Sequence, residues 1–271
     1  MGKPITDKQL KALTHLKRIG FAKKPVSTIF KYMPASRVLE ILEKSPHQIC
    51  FVSPSKWKDP YEAKYLETNY RSLGGFVQPR IFCFCASSRL HNEEASWEMY
   101  KKANDPLIRL SIRTIDFLSA LNKYAADHNY GLYLSKVCYK LKRSDINNLY
   151  LPNNKHHDEY FGNFDEKQYI KVMSLKRRAF EYENEYRFFI IPRGANIEDK
   201  VLHIPFPIKA ITGFTLYPHK KGDGFLSQIE TARYAAEYEL ISKRISAAYP
   251  NSEVSVSTLY DNADSVEKVE M

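Results

Sequence analysis

Glu183 and Glu185 stand one residue apart, with Arg187 the same step further on and Lys176, Arg177 and Arg178 just before them. Paired carboxylates with cations beside them are the residue types of proton transfer and of stabilising a developing positive charge. From Tyr186 the chain is aromatic and β-branched until Pro192-Arg193-Gly194, which predicts a strand ending in a turn. Strand side chains alternate, so a backbone already extended at Glu183 points Glu183, Glu185 and Arg187 to one face and Tyr186 and Phe188 to the other. Carboxylates about 7 Å apart along a strand raise each other's pKa unless a cation compensates, and Arg187 is within reach. The same residues on an edge strand would make only a solvated stripe.

The elements that must position this stretch come from a chain of 271 residues, which we read as one domain because nothing in it resembles a linker. The organisation expected is a basic helical arm over 1–24, an α+β domain over 25–260 and an acidic, frayed tail over 261–271. No apolar run approaches the ~20 residues of a membrane span, and the N-terminus lacks the apolar centre of a signal peptide, so a cytoplasmic protein is expected. Cys50, Cys83, Cys85 and Cys138 lie in apolar, strand-like surroundings without a C-x-x-C, which points to core thiols and not to zinc or disulfides. The adjacent His156 and His157 lack metal-ligand spacing, and no metal is expected. A net charge of +10 favours an anionic partner.

Thr6-Asp7-Lys8-Gln9 is a capping box, and Leu10, Leu13 and Leu16 follow at helical spacing, which predicts a helix over 7–19 with a basic outer face. Strands are predicted at Val26 to Tyr32, carrying Lys31 and Tyr32, and at Ile49 to Val52, with a helix capped by Ser36 between them. Ser53 to Glu62 is a turn-rich loop holding Trp57 and Asp59. Arg80 to Ala86 is apolar on both faces, as a central strand is. In a helix from Glu93 to Ala103, Trp97 and Tyr100 share a face and could stack on a planar ligand or pack into the core.

Further on, the pattern gives a strand at Leu107 to Ile112, a helix from Thr114 to about His128 and a long strand from Leu132 to Leu141. Ser144 to Phe164 reads as a loop with Tyr150, Tyr160 and Phe161 interleaved among polar residues. Asp165 and Gln168 cap the helix that leads to Lys176. Strands at Val201 to Pro205 and Ile208 to Tyr217, a helix from about Phe225 to Ala248 and a last strand at Glu253 to Leu259 complete the chain. The irregular mixture argues for α+β.

In order, Phe30-Lys31-Tyr32, the loop ending Lys58-Asp59-Pro60-Tyr61-Glu62, Cys83-Phe84-Cys85, Trp97 to Tyr100, and Lys176 with Glu183, Glu185 and Arg187 resemble a bacterial domain-of-unknown-function family. Its signatures are a Tyr-Lys-Tyr strand, a Phe-Asn-Asp-Pro-x-Glu loop, a Cys-Phe-Ser strand, a Met-Trp-x-x-Tyr helix and Trp-x-x-Glu-x-Glu-x-Arg. The chain departs at Lys58 for Asn, Cys85 for Ser and Phe180 for Trp. The same order, ending in Glu-x-Glu, is more distantly similar to the ADP-ribosyltransferase toxin superfamily. That resemblance implies split mixed and antiparallel sheets flanked by helices and NAD as substrate. It implies Glu185 as catalytic residue with Glu183 as its companion. Lys31 and Tyr32 would hold NAD.

Cleaving the nicotinamide–ribose bond passes through an oxocarbenium-like state, which a fixed carboxylate stabilises. Lys31 or Arg187 would then meet the pyrophosphate, and Tyr32, Trp97 or Tyr100 the nicotinamide. The expected activity is that of a toxin-like or anti-phage effector acting on nucleic acid, RNA before DNA. Lys142, Arg143, Arg177 and Arg178 would lie on phosphates and a restraining antitoxin would be a partner. The alternative is a non-catalytic nucleic-acid- or nucleotide-binding module of a defence system, with the acids and Arg187 as a structural network.

Overall fold

The computed structural model describes residues 5–20, 25–57, 59, 62, 80–88, 93–100, 105–140, 142, 144–145, 157, 160, 165–193, 200–218, 225–250 and 252–259. The sheet is built around two central strands, β4 (Phe82–Ser87) and β7 (Glu185–Ile191), paired antiparallel from Phe82↔Ile190 to Ser87↔Glu185. All seven residues of β7 are buried, so it is no edge strand. Tyr186, Phe188 and Ile190 face one core together with Phe84 and Phe117, while Phe189 and Ile191 face a second core with Cys83, Tyr133 and Tyr169.

Around this pair the strands β1 (Leu16–Gly20), β2 (Thr28–Pro34), β3 (Gln48–Val52), β5 (Leu107–Arg113), β6 (Gly131–Lys136), β8 (Val201–Pro205), β9 (Ile211–Leu216) and β10 (Val254–Val256) complete a sheet of ten strands among the described residues. The main path runs β1-β6-β7-β4-β2-β5-β9-β10, with β3 and β8 off it. The first and last pairings of that path are parallel and the rest antiparallel, a mixed sheet in an α+β arrangement. Helices α1 (Asp7–Lys11), α2 (Ala35–Glu43), α3 (Glu93–Tyr100), α4 (Thr114–Asp127), α5 (Glu166–Val172) and α6 (Phe225–Ala248) flank it. Helix α4 packs on β5, β6 and β8, α5 on β1 and β6, and α6 on α2.

Where split sheets are expected, the structure has a single sheet that forks. Both β2 and β3 pair with the same edge of β4, β2 only through Phe30↔Ser87 and β3 only through Val52↔Cys83. Strand β2 then runs on with β5 and strand β3 with β8, leaving a gap beside Phe84, Cys85 and Ala86. Lys31 Nζ donates to the Cys85 carbonyl at 2.7 Å, satisfying a main-chain acceptor that no neighbouring strand reaches.

Other boundaries move for local reasons. The helix expected over 7–19 keeps its capping box but ends at Lys11. Leu16 to Gly20 becomes β1 because the edge of β6 offers a ladder, Leu16↔Leu132 to Gly20↔Lys136. Helix α2 begins after Pro34, and Ser36 bonds Asp105 instead of capping. Strand β6 stops at Lys136, five residues before Leu141: Val137 N–H still bonds the carbonyl of Glu185, where β7 begins, but Cys138 N–H leaves the ladder for the Ser174 carbonyl. The strand expected from Ile208 starts at Ile211 after a 3-10 turn, and the last strand shrinks to Val254–Val256. Of the 144–164 loop, Tyr150, Phe161, His156 and the neighbouring Arg143 lie outside the described residues, as do residues 260–271.

Candidate active site

Glu183 and Glu185 do reach one face, by a route other than a continuous strand. Arg178–Glu183 is a 3-10 turn, Asn184 takes the left-handed conformation with φ 44°, and β7 begins only at Glu185. Ser87 Oγ donates to the Glu183 carbonyl at 2.9 Å and Ser88 Oγ to that of Asn184 at 2.8 Å, so the end of β4 holds the turn. Tyr139 Oη accepts the Glu185 N–H at 3.1 Å.

Five buried charges meet there. Lys176 Nζ lies 2.5 Å from Glu183 Oε2, 3.7 Å from Glu185 and 3.8 Å from Glu62. Arg187, 1% exposed, spends every nitrogen: Nε and Nη2 on Glu185, Nη1 on the Met173 carbonyl at 2.6 Å, Nη2 also on Glu62. Its flat face lies 4.2 Å from the centre of the Trp57 ring. Glu62 was not among the residues the sequence singles out for chemistry. Its signal was the Asp-Pro-x-Glu loop, whose other acid, Asp59, pairs with Arg177 at 3.2 Å. The two acids of that loop therefore meet the two adjacent cations Lys176 and Arg177.

Three carboxylates against two cations leave one negative charge in excess, and the two partners' environments divide it. Burial and the neighbouring Glu185 push Glu183 up to about 7 against the pull of Lys176. Burial also opposes the charge on Glu185, but Arg187 and Lys176 outweigh it and hold that carboxyl at about 2. Desolvation pulls Lys176 down and the three glutamates more than reverse it. The network therefore pairs a fixed carboxylate with a carboxyl that gains or loses a proton near neutrality. Among the described residues no group of three or more His, Cys, Asp or Glu is arranged to hold a metal. Lys176 and Arg187 fill the space between the three carboxylates.

The network forms one wall of a cavity of about 850 Å³ that extends through the gap between β2 and β3. Lys31, Tyr32, Tyr100, Glu183, Glu185 and Arg187, all expected at the site, line it. Tyr100 stacks on Tyr32 with ring centres 5.8 Å apart and is itself 39% exposed. Trp97, expected to stack on a cofactor, is instead fully enclosed, edge-on to Tyr32 and Tyr217. Helical spacing put it on Tyr100's side of α3, but Tyr32 lies between the two rings. Arg187, expected on a pyrophosphate, has no nitrogen to spare. Of the cations expected on phosphates, Arg177 is tied to Asp59, Lys142 is exposed and Arg178 is exposed beside Glu181 at 3.8 Å. Tyr160, one of the aromatics interleaved in the long loop read from the sequence, is buried in the second core with Lys171 over its ring.

Comparison of the chain with protein-family models, with curated proteins and with solved structures gives no match. Among the described residues no helix is long and apolar enough to cross a membrane.

Proposed function

We propose that the cavity is the active site of an enzyme that transfers ADP-ribose from NAD. The observation that carries this reading is the pair Glu183 and Glu185, held on one wall at pKa values several units apart. Glu185, held as a carboxylate by Arg187 and Lys176, faces the positive charge that grows on the ribose as its bond to nicotinamide breaks. Nicotinamide leaves with the electron pair of that bond. The acceptor bonds to the same carbon and gives its proton to Glu183, whose affinity for a proton suits transfer near neutral pH. In this reading Tyr100, stacked on Tyr32, and Lys31 would hold NAD, and the cavity volume lies within the range of small-molecule sites.

The acceptor we propose is nucleic acid, RNA first, on the strength of the +10 charge. A toxin-like or anti-phage role, with a restraining partner, belongs to the same proposal. One observation favours a second reading, a nucleotide-binding module without turnover: Arg187 is so fully paired that the network is also a good brace. Incubation with NAD labelled in the nicotinamide, with and without single-stranded RNA, separates the two. Released nicotinamide supports the enzyme, whereas a thermal shift by NAD with no release supports the module.

A further inference from the structure

The cavity is also lined by a second cluster, from α2, β3 and β8, that the proposed reaction does not use. Cys50 on β3 lies directly across from His203 on β8 in the antiparallel ladder, and its Sγ is 3.7 Å from His203 Nδ1. Arg37, from α2 above, donates Nη2 to the same sulfur at 3.0 Å while its Nη1 pairs with Glu40. All three residues line the cavity, and Lys44 adds a further cation beside Glu40. A guanidinium hydrogen aimed at sulfur, an imidazole within reach to take the thiol proton and an open approach are the conditions for a nucleophilic thiolate.

The other three cysteines lack them. Cys83 and Cys138 are buried, and Cys85 donates into an acidic wall, its thiol pushed up by its contact with Cys83, by burial and by Glu185. One cavity thus carries a cysteine beside cations and a cysteine beside carboxylates, which gives an internal comparison.

We propose that Cys50 is a modification site, taking soft electrophiles of the size of a small disulfide, and that its adduct obstructs the cavity. With a low-molecular-weight disulfide such as oxidised glutathione, the Cys50 thiolate attacks one sulfur and a new S–S bond forms. The old S–S bond breaks, and the second half leaves as a thiolate that takes up the proton displaced from Cys50. Obstruction of turnover rests on the function proposed above; reactivity of Cys50 does not.

The test is limited alkylation of the full-length protein with iodoacetamide, with the sites located by peptide mass spectrometry, then the same with oxidised glutathione. Cys50 is expected to react first and faster than Cys85 by on the order of tenfold or more. Arg37→Ala and His203→Ala should each slow Cys50 severalfold without moving the other sites. Equal rates at Cys50 and Cys85, or a Cys50 rate unchanged in both variants, would overturn the assignment. Loss of NAD binding on modification, absent in Cys50→Ser, would show obstruction. Selective modification with NAD binding intact would refute the obstruction alone, and a protein that never binds NAD would count against the proposed function while leaving the Cys50 result standing.

Discussion

A buried set of three carboxylates and two cations has to take up a proton somewhere, and Glu183 is the member least supported by positive charge. Glu185 has both Arg187 and Lys176, whereas Glu183 has Lys176 alone. This has a consequence for stability. Glu183 binds its proton at about 7 in the folded protein against an ordinary value of 4.5, so the folded state holds more protons in that window and stability falls as pH rises from about 5 to about 7. Glu185, held at about 2, works in the other direction: its contribution is present above about 4.5 and is lost as pH falls toward 2. Melting temperature should therefore decline between pH 5 and 8 in the native protein, and Glu183→Gln should flatten that decline. Arg187→Met should be far more damaging, at about 3–5 kcal/mol, because it leaves Glu62 and Glu185 buried with only the more distant Lys176 as a shared cation. Urea unfolding measures that loss. Glu185→Gln likewise removes a carboxylate from buried Arg187, leaving it Glu62 and the Met173 carbonyl, so lost activity in that variant would not separate chemistry from folding.

At the scale of the element, the site depends on a single left-handed residue. A 3-10 turn runs into a strand at Asn184, and the change of backbone direction brings Glu183 beside Glu185. Asn184→Gly should be nearly neutral, while Asn184→Val should cost about 1–2 kcal/mol and reduce turnover by more than the lost stability explains. Paired urea and activity measurements check both. The strand from Tyr186, the central strand at Phe82 and the helix at Thr114 were legible because propensity and packing agree there. The alternation that groups Glu185 with Arg187 was legible for the same reason. Strand β1 was not, since Leu10, Leu13 and Leu16 keep helical spacing and only the open edge of β6, more than a hundred residues away, converts the last part to a ladder. Glu62 was hidden similarly: its contact with Arg187 joins residues 125 apart. Trp97 and Tyr100 show the limit of spacing arguments, which give a shared side of a helix but not the ring inserted between.

For the whole molecule, the fork at β4 matters most, because it opens a cavity against the face of the sheet that carries the charges. The +10 charge is a property of this scale as well, and the structure sorts the cations behind it. Lys142 and Arg178 are exposed, whereas Arg177 braces the loop at Asp59. If RNA is the acceptor, its affinity should fall with salt by about 0.7 logarithmic units per logarithmic unit for each phosphate neutralised. Replacing Lys142 and Arg178 with Ser should flatten that slope. Arg177→Ser should instead lower stability, through the Asp59 loop. Titration of a labelled single strand at several salt concentrations reads the slope, and no binding at low salt would exclude RNA.

Glu183→Gln distinguishes a Glu183–Glu185 pair that does chemistry from one that merely braces the cavity. Gln resembles the protonated form that Glu183 adopts below about pH 7. It therefore disturbs the network little, with a stability change expected within about 1 kcal/mol. Transfer of labelled ADP-ribose from NAD should be measured in the native protein and this variant at pH 7, with melting curves alongside. Transfer by the native protein is expected, with a variant that melts within a few degrees of it and transfers at a rate lower by about 10²-fold or more. Equal transfer by the two proteins, or none by a native protein that binds NAD, would contradict a chemical role for the pair.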